Sequence, residues 1–138
     1  MNNNSIFLEK LRSSGLRPTK QRLKICKLLF QRKETFHFTV GDLSKILIQK
    51  TKEKISLATI YNTVHSFKKK GYLKEIPINS DKTYFDTNTS DHHHFLDVTT
   101  NELIDINNKD VKKVNIMKKI PGKKIKSIEV LVKIENNN

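Results

Sequence analysis

The chain has 138 residues, one cysteine and a formal net charge of +13, from 27 Lys and Arg against 14 Asp and Glu. A single cysteine excludes an internal disulfide and a CxxC zinc staple, and no stretch approaches the roughly 18 uninterrupted apolar residues of a membrane span. The opening MNNNSIFLEK lacks the apolar core of a secretory leader, so the expectation is a soluble, cytoplasmic protein with room for one domain or two small lobes.

Lysine supplies 23 of the 27 cations, so part of the excess is compositional. Its distribution is uneven, however. Residues 1–87 carry 18 cations against 7 anions, a net of +11, whereas residues 88–138 carry 9 against 7, a net of +2. Cationic side chains displace condensed counterions from phosphates. The asymmetry therefore predicts a nucleic-acid lobe followed by something different.

In chain order, Ile6, Phe7, Leu8 and Leu11 form a short helical stripe that stops at Gly15. LRPTKQRLKICKLLF restarts after Pro18, with Thr19 as N-cap and Leu23, Cys26, Leu29 and Phe30 on one apolar face. Cys26 thus reads as core, not as a reactive thiol. TVGDLSKILIQ pairs Thr39 with Asp42 in a capping arrangement and turns Leu43, Ile46 and Leu47 inward. The fourth helix, SLATIYNTVHSFKKKGYL, starts at a Ser56 cap and ends at Gly71, with Leu57, Ile60, Val64 and Phe67 as core positions.

That leaves Thr59, Tyr61, Asn62, His65 and Ser66 outward. Such side chains suit a helix in a major groove, where Asn reads adenine and Tyr or Thr reaches phosphate or a thymine methyl. Lys68, Lys69 and Lys70 complement the helix dipole as well as they would a phosphate. YLKEIPI and KTYFDT then form two β-rich runs about a turn at Asn79, Ser80 and Asp81. Helices, a recognition-type helix and a hairpin wing make a winged helix-turn-helix, a fold that also serves protein–protein contacts.

In SDHHHFLD, three of the five histidines are adjacent. Alternate residues of a strand share a face, so His92 and His94 point one way and Asp91 and His93 the other. Two imidazoles at i, i+2 are half of a divalent-metal site, and other segments must complete it.

GLRPTKQR, SLATIYNTVHSFKKKGYL, KTYFDTN, DHHHF and LIDI occur in the order and spacing of the ferric uptake regulator family, which the chain resembles over residues 6–107. The histidine triplet and the missing cysteine pairs are most similar to the iron response regulator branch, with the peroxide-sensing branch second. The resemblance implies an α+β fold: a winged-helix DNA-binding domain over 1–87 and a small α/β dimerisation and metal-sensing domain over 88–138. In the second, HHHFLDV and ELIDI look like strands, KDVKKVNIMKK a short helix and KKIKSIEVLVKIE a final strand. A lobe of about 50 residues buries little surface alone, which makes a homodimer physically reasonable.

The same resemblance implies that Arg17 reaches a minor groove from the loop before the second helix, and that Tyr61 and Asn62 contact an AT-rich palindromic operator in double-stranded DNA. It further implies that His37, Asp86, His92, His94 and Asp105 ligate one metal between the two domains. That mixture suits Fe²⁺, Mn²⁺ or Zn²⁺, and five ligands favour Fe or Mn over four-coordinate zinc. Fixing the lobes in this way would set the spacing of two recognition helices in a dimer. Asp91 and His93 are candidates for a second site or for haem, with His93 as axial ligand. Asp97 and Thr100 stand where many relatives carry cysteine pairs, so a four-cysteine structural zinc cannot form. Cys26 precedes Lys27 and not proline, so the Cys-Pro haem motif of some relatives is absent.

The implied function is a metal- or haem-responsive repressor of iron and haem genes. Asp105, in place of glutamate, also matches the peroxide-sensing pattern, in which bound Fe²⁺ and peroxide oxidise a ligand such as His37 or His92. An H-x-H pair with carboxylates occurs in non-haem iron oxygenases too, but an enzyme leaves the charge and the recognition helix unexplained. RNA binding lacks the stacking aromatic pattern of an RNP motif.

Overall fold

The computed structural model describes residues 4–79 and 82–138. Ser80 and Asp81, two of the three residues expected to turn the hairpin, lie outside the described residues. The chain divides into two compact units, Met1–Thr89 and Ser90–Asn138. Among the described residues, no helix is long and apolar enough to cross a membrane.

The first unit holds helices α1 (Asn4–Ser13), α2 (Lys20–Phe30), α3 (Val40–Thr51) and α4 (Leu57–Lys70), and strands β1 (His37–Phe38), β2 (Lys74–Asn79) and β3 (Lys82–Asp86). Local chemistry sets the helix ends. The Thr19 side chain accepts the Arg22 N–H at the start of α2. At α3, Thr39 and Asp42 form a reciprocal capping box, which satisfies two otherwise orphaned donors. Ser56 caps α4, and Gly71 closes it at φ 94°, a left-handed conformation that costs a side-chain-bearing residue strain.

Packing follows the apolar periodicity with one shift of face. Ile60, Thr63, Val64 and Phe67 are the buried residues of α4. Leu57, expected in the core, is 58% exposed. It occupies the first helical position, before the helix meets the core, whereas Thr63 can be buried because its hydroxyl donates to the Thr59 carbonyl at 2.7 Å. Phe67 packs edge-on against Phe30 at 5.2 Å between centroids, with Tyr72 at 6.4 Å. The Lys10 ammonium lies 4.2 Å from the Phe30 ring centre and 4.3 Å from that of Tyr72, which ties α1 to this aromatic group. The wing strands pair antiparallel, and β3 also pairs with β1, giving the order β1-β3-β2.

Cys26 is fully buried on α2, as its position on the apolar face implies. Burial pushes its thiol up from 9.0 to about 11, and the Lys10 charge offsets this only in part. A thiol that stays protonated is a poor nucleophile. Iodoacetamide at mildly alkaline pH is therefore expected to leave the folded chain unmodified and to label Cys26 in denaturing urea. Rapid labelling without urea, read by intact mass, would contradict the placement.

The second unit is a three-stranded sheet of β4 (His93–Asp97), β5 (Glu102–Ile106) and β6 (Leu131–Ile134), in the order β5-β4-β6. β4 runs antiparallel to β5 and parallel to β6. Leu96, Leu103 and Ile106 are its buried apolar residues. The helix expected over KDVKKVNIMKK is not formed: a single 3-10 turn, Asn108–Asp110, is followed by irregular chain. The final strand is correspondingly short. Met117 is 93% exposed and Ile120 57%, so among the described residues little packing supports a helix that carries β-branched residues and five lysines between 109 and 119.

Candidate metal centre

Each unit contributes a cluster of metal-ligand side chains. In the first, β1 is held against the end of β3 by reciprocal bonds: the Phe36 N–H donates to the Thr87 hydroxyl at 2.9 Å, and the Thr87 N–H donates to the Phe36 carbonyl at 3.1 Å. Phe36 and Phe38 stack at 5.3 Å, and Phe38 stacks on Phe85 at 5.8 Å. With both phenylalanines on one face, alternation turns His37 to the other. There it sits directly across the ladder from Asp86, with Nε2 3.6 Å from Oδ2. Asp86 is fully buried, and its Oδ1 accepts the Asn88 N–H at 2.8 Å. A buried carboxylate of this kind demands a compensating positive group.

In the second unit, His92 and His94 share the buried face, as the strand alternation predicts. Their rings are 4.3 Å apart and tilted by 57°. Asp105, opposite His94 on β5, brings Oδ1 within 3.1 Å of both Nε2 atoms. The backbone decides what this arrangement can hold. His92 Nδ1 lies 2.7 Å from the Ser90 carbonyl, an acceptor only, so Nδ1 carries the proton. In the neutral ring, Nε2 then presents a lone pair to a carboxylate oxygen, and that contact is favourable only with a proton or a metal ion at the nitrogen. A ligand imidazole whose other N–H donates to a backbone carbonyl is the usual second-layer arrangement of metal-bound histidine. The donor set therefore fits a divalent cation. The Ser90 carbonyl was invisible to sequence reading, because a backbone acceptor leaves no residue signature.

Asp91 and His93 do not join this cluster. His93 Nδ1 accepts the Val130 N–H at 2.9 Å, which fastens the chain entering β6 to β4. The Asp91 carbonyl accepts from the Asn108 side chain at 2.9 Å, and its residue is exposed. The geometry thus gives both a role in building the sheet, and adds nothing to the haem expectation.

The residues expected to face nucleic acid divide in the same way. Tyr61 and Asn62 are exposed on α4, and Arg17 is exposed in the loop before α2, where its carbonyl accepts from Arg22 at 2.8 Å. Thr59 is half-buried and belongs to the helix cap: its N–H donates to the Ser56 hydroxyl, which in turn donates to the Thr59 Oγ1 at 2.9 Å.

The model of the ferric uptake regulator family matches residues 13–134. The chain belongs to that family. A ferric uptake regulation protein of Haemophilus ducreyi is 30% identical to this regulator over 105 residues, 75% of this chain and 70% of that protein. The peroxide operon regulator of Bacillus subtilis is 34% identical over 98 residues, 71% of this chain and 66% of that protein. In fold, the chain is similar to the ferric uptake regulator of Pseudomonas aeruginosa with manganese, at a TM-score of 0.67 and 20% identity, covering 96% of this chain and 99% of that one. Ferric uptake regulator family members are metal-dependent, dimeric DNA-binding transcription regulators, so this one is a regulator and not an enzyme.

Proposed function

We propose that this regulator is a homodimeric repressor of iron-homeostasis genes and that His37, Asp86, His92, His94 and Asp105 together hold one Fe²⁺ or Mn²⁺ ion that sets its affinity for a palindromic, AT-rich duplex. The observation that carries this reading is the approach of Asp105 to both His92 and His94, with the Ser90 carbonyl fixing the His92 tautomer. When bound, the cation supplies positive charge to two carboxylates and a common anchor for donors of both units. His37 and Asp86 make the first unit sensitive to that anchor, because they join the strand that continues into the wing. Tyr61, Asn62 and Arg17 then supply base and groove contacts, and the +11 charge of residues 1–87 supplies sequence-independent attraction.

The test is enrichment of genomic duplex fragments by the full chain at about 150 mM salt, since affinity without stated salt is uninterpretable. Palindromic fragments near iron genes are expected with Mn²⁺ and lost with a chelator. Identical enrichment in both conditions would overturn metal control.

Asp105 and the similarity to the Bacillus subtilis regulator favour a second reading, a peroxide sensor of the same family. It predicts that Fe²⁺ with low peroxide adds one oxygen atom to the peptide carrying His37 or His92. Unchanged peptide masses would remove it.

A further inference from the structure

Metal chemistry does not account for an exposed stripe along α4. Leu57, Tyr61 and His65 stand at i, i+4 and i+8, one above another on the helix. Leu57 is 58% exposed and Tyr61 53%. The Tyr61 and His65 rings stack with centroids 5.8 Å apart and planes within 7°. Both rings line a cleft of about 460 Å³, which Thr39 before α3 and Glu75, Lys82 and Thr83 of the wing line as well.

We propose that Leu57 is a base-reading residue that packs on the C5-methyl of a thymine in the major groove, and that His65 is a positioning residue that holds the Tyr61 ring for entry into the same groove. This rests on the operator-binding reading above. The first turn of a recognition helix is the part that meets base edges. In α4 the Ser56 hydroxyl is committed to Thr59 and to the cap, and Thr59 is half-buried, so the apolar groups this turn offers outward are Ala58 and the longer-reaching Leu57. An apolar side chain distinguishes bases by one feature, the thymine methyl. The lysine-rich surface attracts any duplex alike, so discrimination falls to contacts of this kind. Stacking on His65 restricts the Tyr61 side chain before DNA arrives, which lowers the ordering cost of binding.

The experiment uses the duplex selected by the metal-loaded wild type. Each thymine of one half-site is replaced by uracil, which lacks the methyl, and the full-length wild type and Leu57→Ala are titrated at one salt concentration. At one position, uracil is expected to weaken the wild type about 4-fold, the value of one buried methyl group, and to leave Leu57→Ala unchanged. Equal uracil losses in both proteins, or no loss in either, would overturn the thymine contact. His65→Ala should weaken binding and His65→Phe, which keeps a stacking ring, should restore it; wild-type affinity in His65→Ala would overturn the positioning role. If the wild type selects no duplex, the operator reading itself fails, and this inference with it. A selected duplex with additive losses overturns only the leucine contact.

Discussion

Asp105→Asn is expected to reduce Mn²⁺-supported duplex binding by on the order of 100-fold, the upper end of what loss of a group supporting a metal site costs, and to leave binding in chelator unchanged. The Asp105 carboxylate comes within 3.1 Å of both His92 and His94. Asparagine keeps its shape and removes the negative charge that balances a cation among the imidazoles. The Asp105 side chain is 38% exposed, so the substitution leaves the core of the second unit intact, and circular dichroism should match the wild type. Fluorescence anisotropy at fixed salt provides the comparison. Wild-type affinity for Asp105→Asn in Mn²⁺ would remove Asp105 from the donor set and, with it, the convergence on which the site is built.

The second large effect is on stability. Phe67→Ala is expected to cost about 3–5 kcal/mol, the usual range for truncating a buried phenylalanine. Phe67 is fully buried, and its loss empties the space between Phe30, Tyr72 and the helix that carries Tyr61 and Asn62. Against a total stability of roughly 5–15 kcal/mol for a domain, that leaves the first unit close to unfolding. Leu57→Ala, ten residues earlier on the same helix, should stay within about 0.5 kcal/mol of the wild type, as exposed sites do. Urea denaturation of the two variants measures the contrast. Comparable losses would mean that Leu57 is packed after all, and that the exposed stripe on α4 does not exist.

That contrast also marks where sequence reading worked and where it failed. The caps were legible, because a serine or threonine followed by its own third residue is a local signal: Thr39 with Asp42, and Ser56 ahead of α4. Cys26 was legible as core from its place on an apolar stripe. On α4 the expected core positions Ile60, Val64 and Phe67 are buried, while Leu57 is exposed and Thr63 joins the core. Periodicity counts leucine as buried and threonine as exposed, whereas a helix end can project beyond its core and a threonine can satisfy its hydroxyl within the helix.

In the candidate site, alternation matches the burial of His92 and His94 beside a half-buried His93, although His92 stands one residue before β4. Pairing His37 with Asp86 came from family resemblance, not from the residues: a two-residue strand has too little pattern to betray its partner. What defeated sequence reading altogether was the stretch after Asn108. The helix there was an expectation set beside the family resemblance, but helix formation depends on a surface to bury its apolar face, and among the described residues Met117 and Ile120 are left largely exposed.

We propose that donors of both units serve a single ion. Calorimetric titration of Mn²⁺ into the wild type, His37→Ala and His94→Ala tests it most directly. One ion per chain is expected, with a loss of affinity of roughly 10-fold or more, as for weakened metal sites generally, in each variant alike. Wild-type titration of His37→Ala beside a loss in His94→Ala would contradict it, and would assign the ion to the second unit alone.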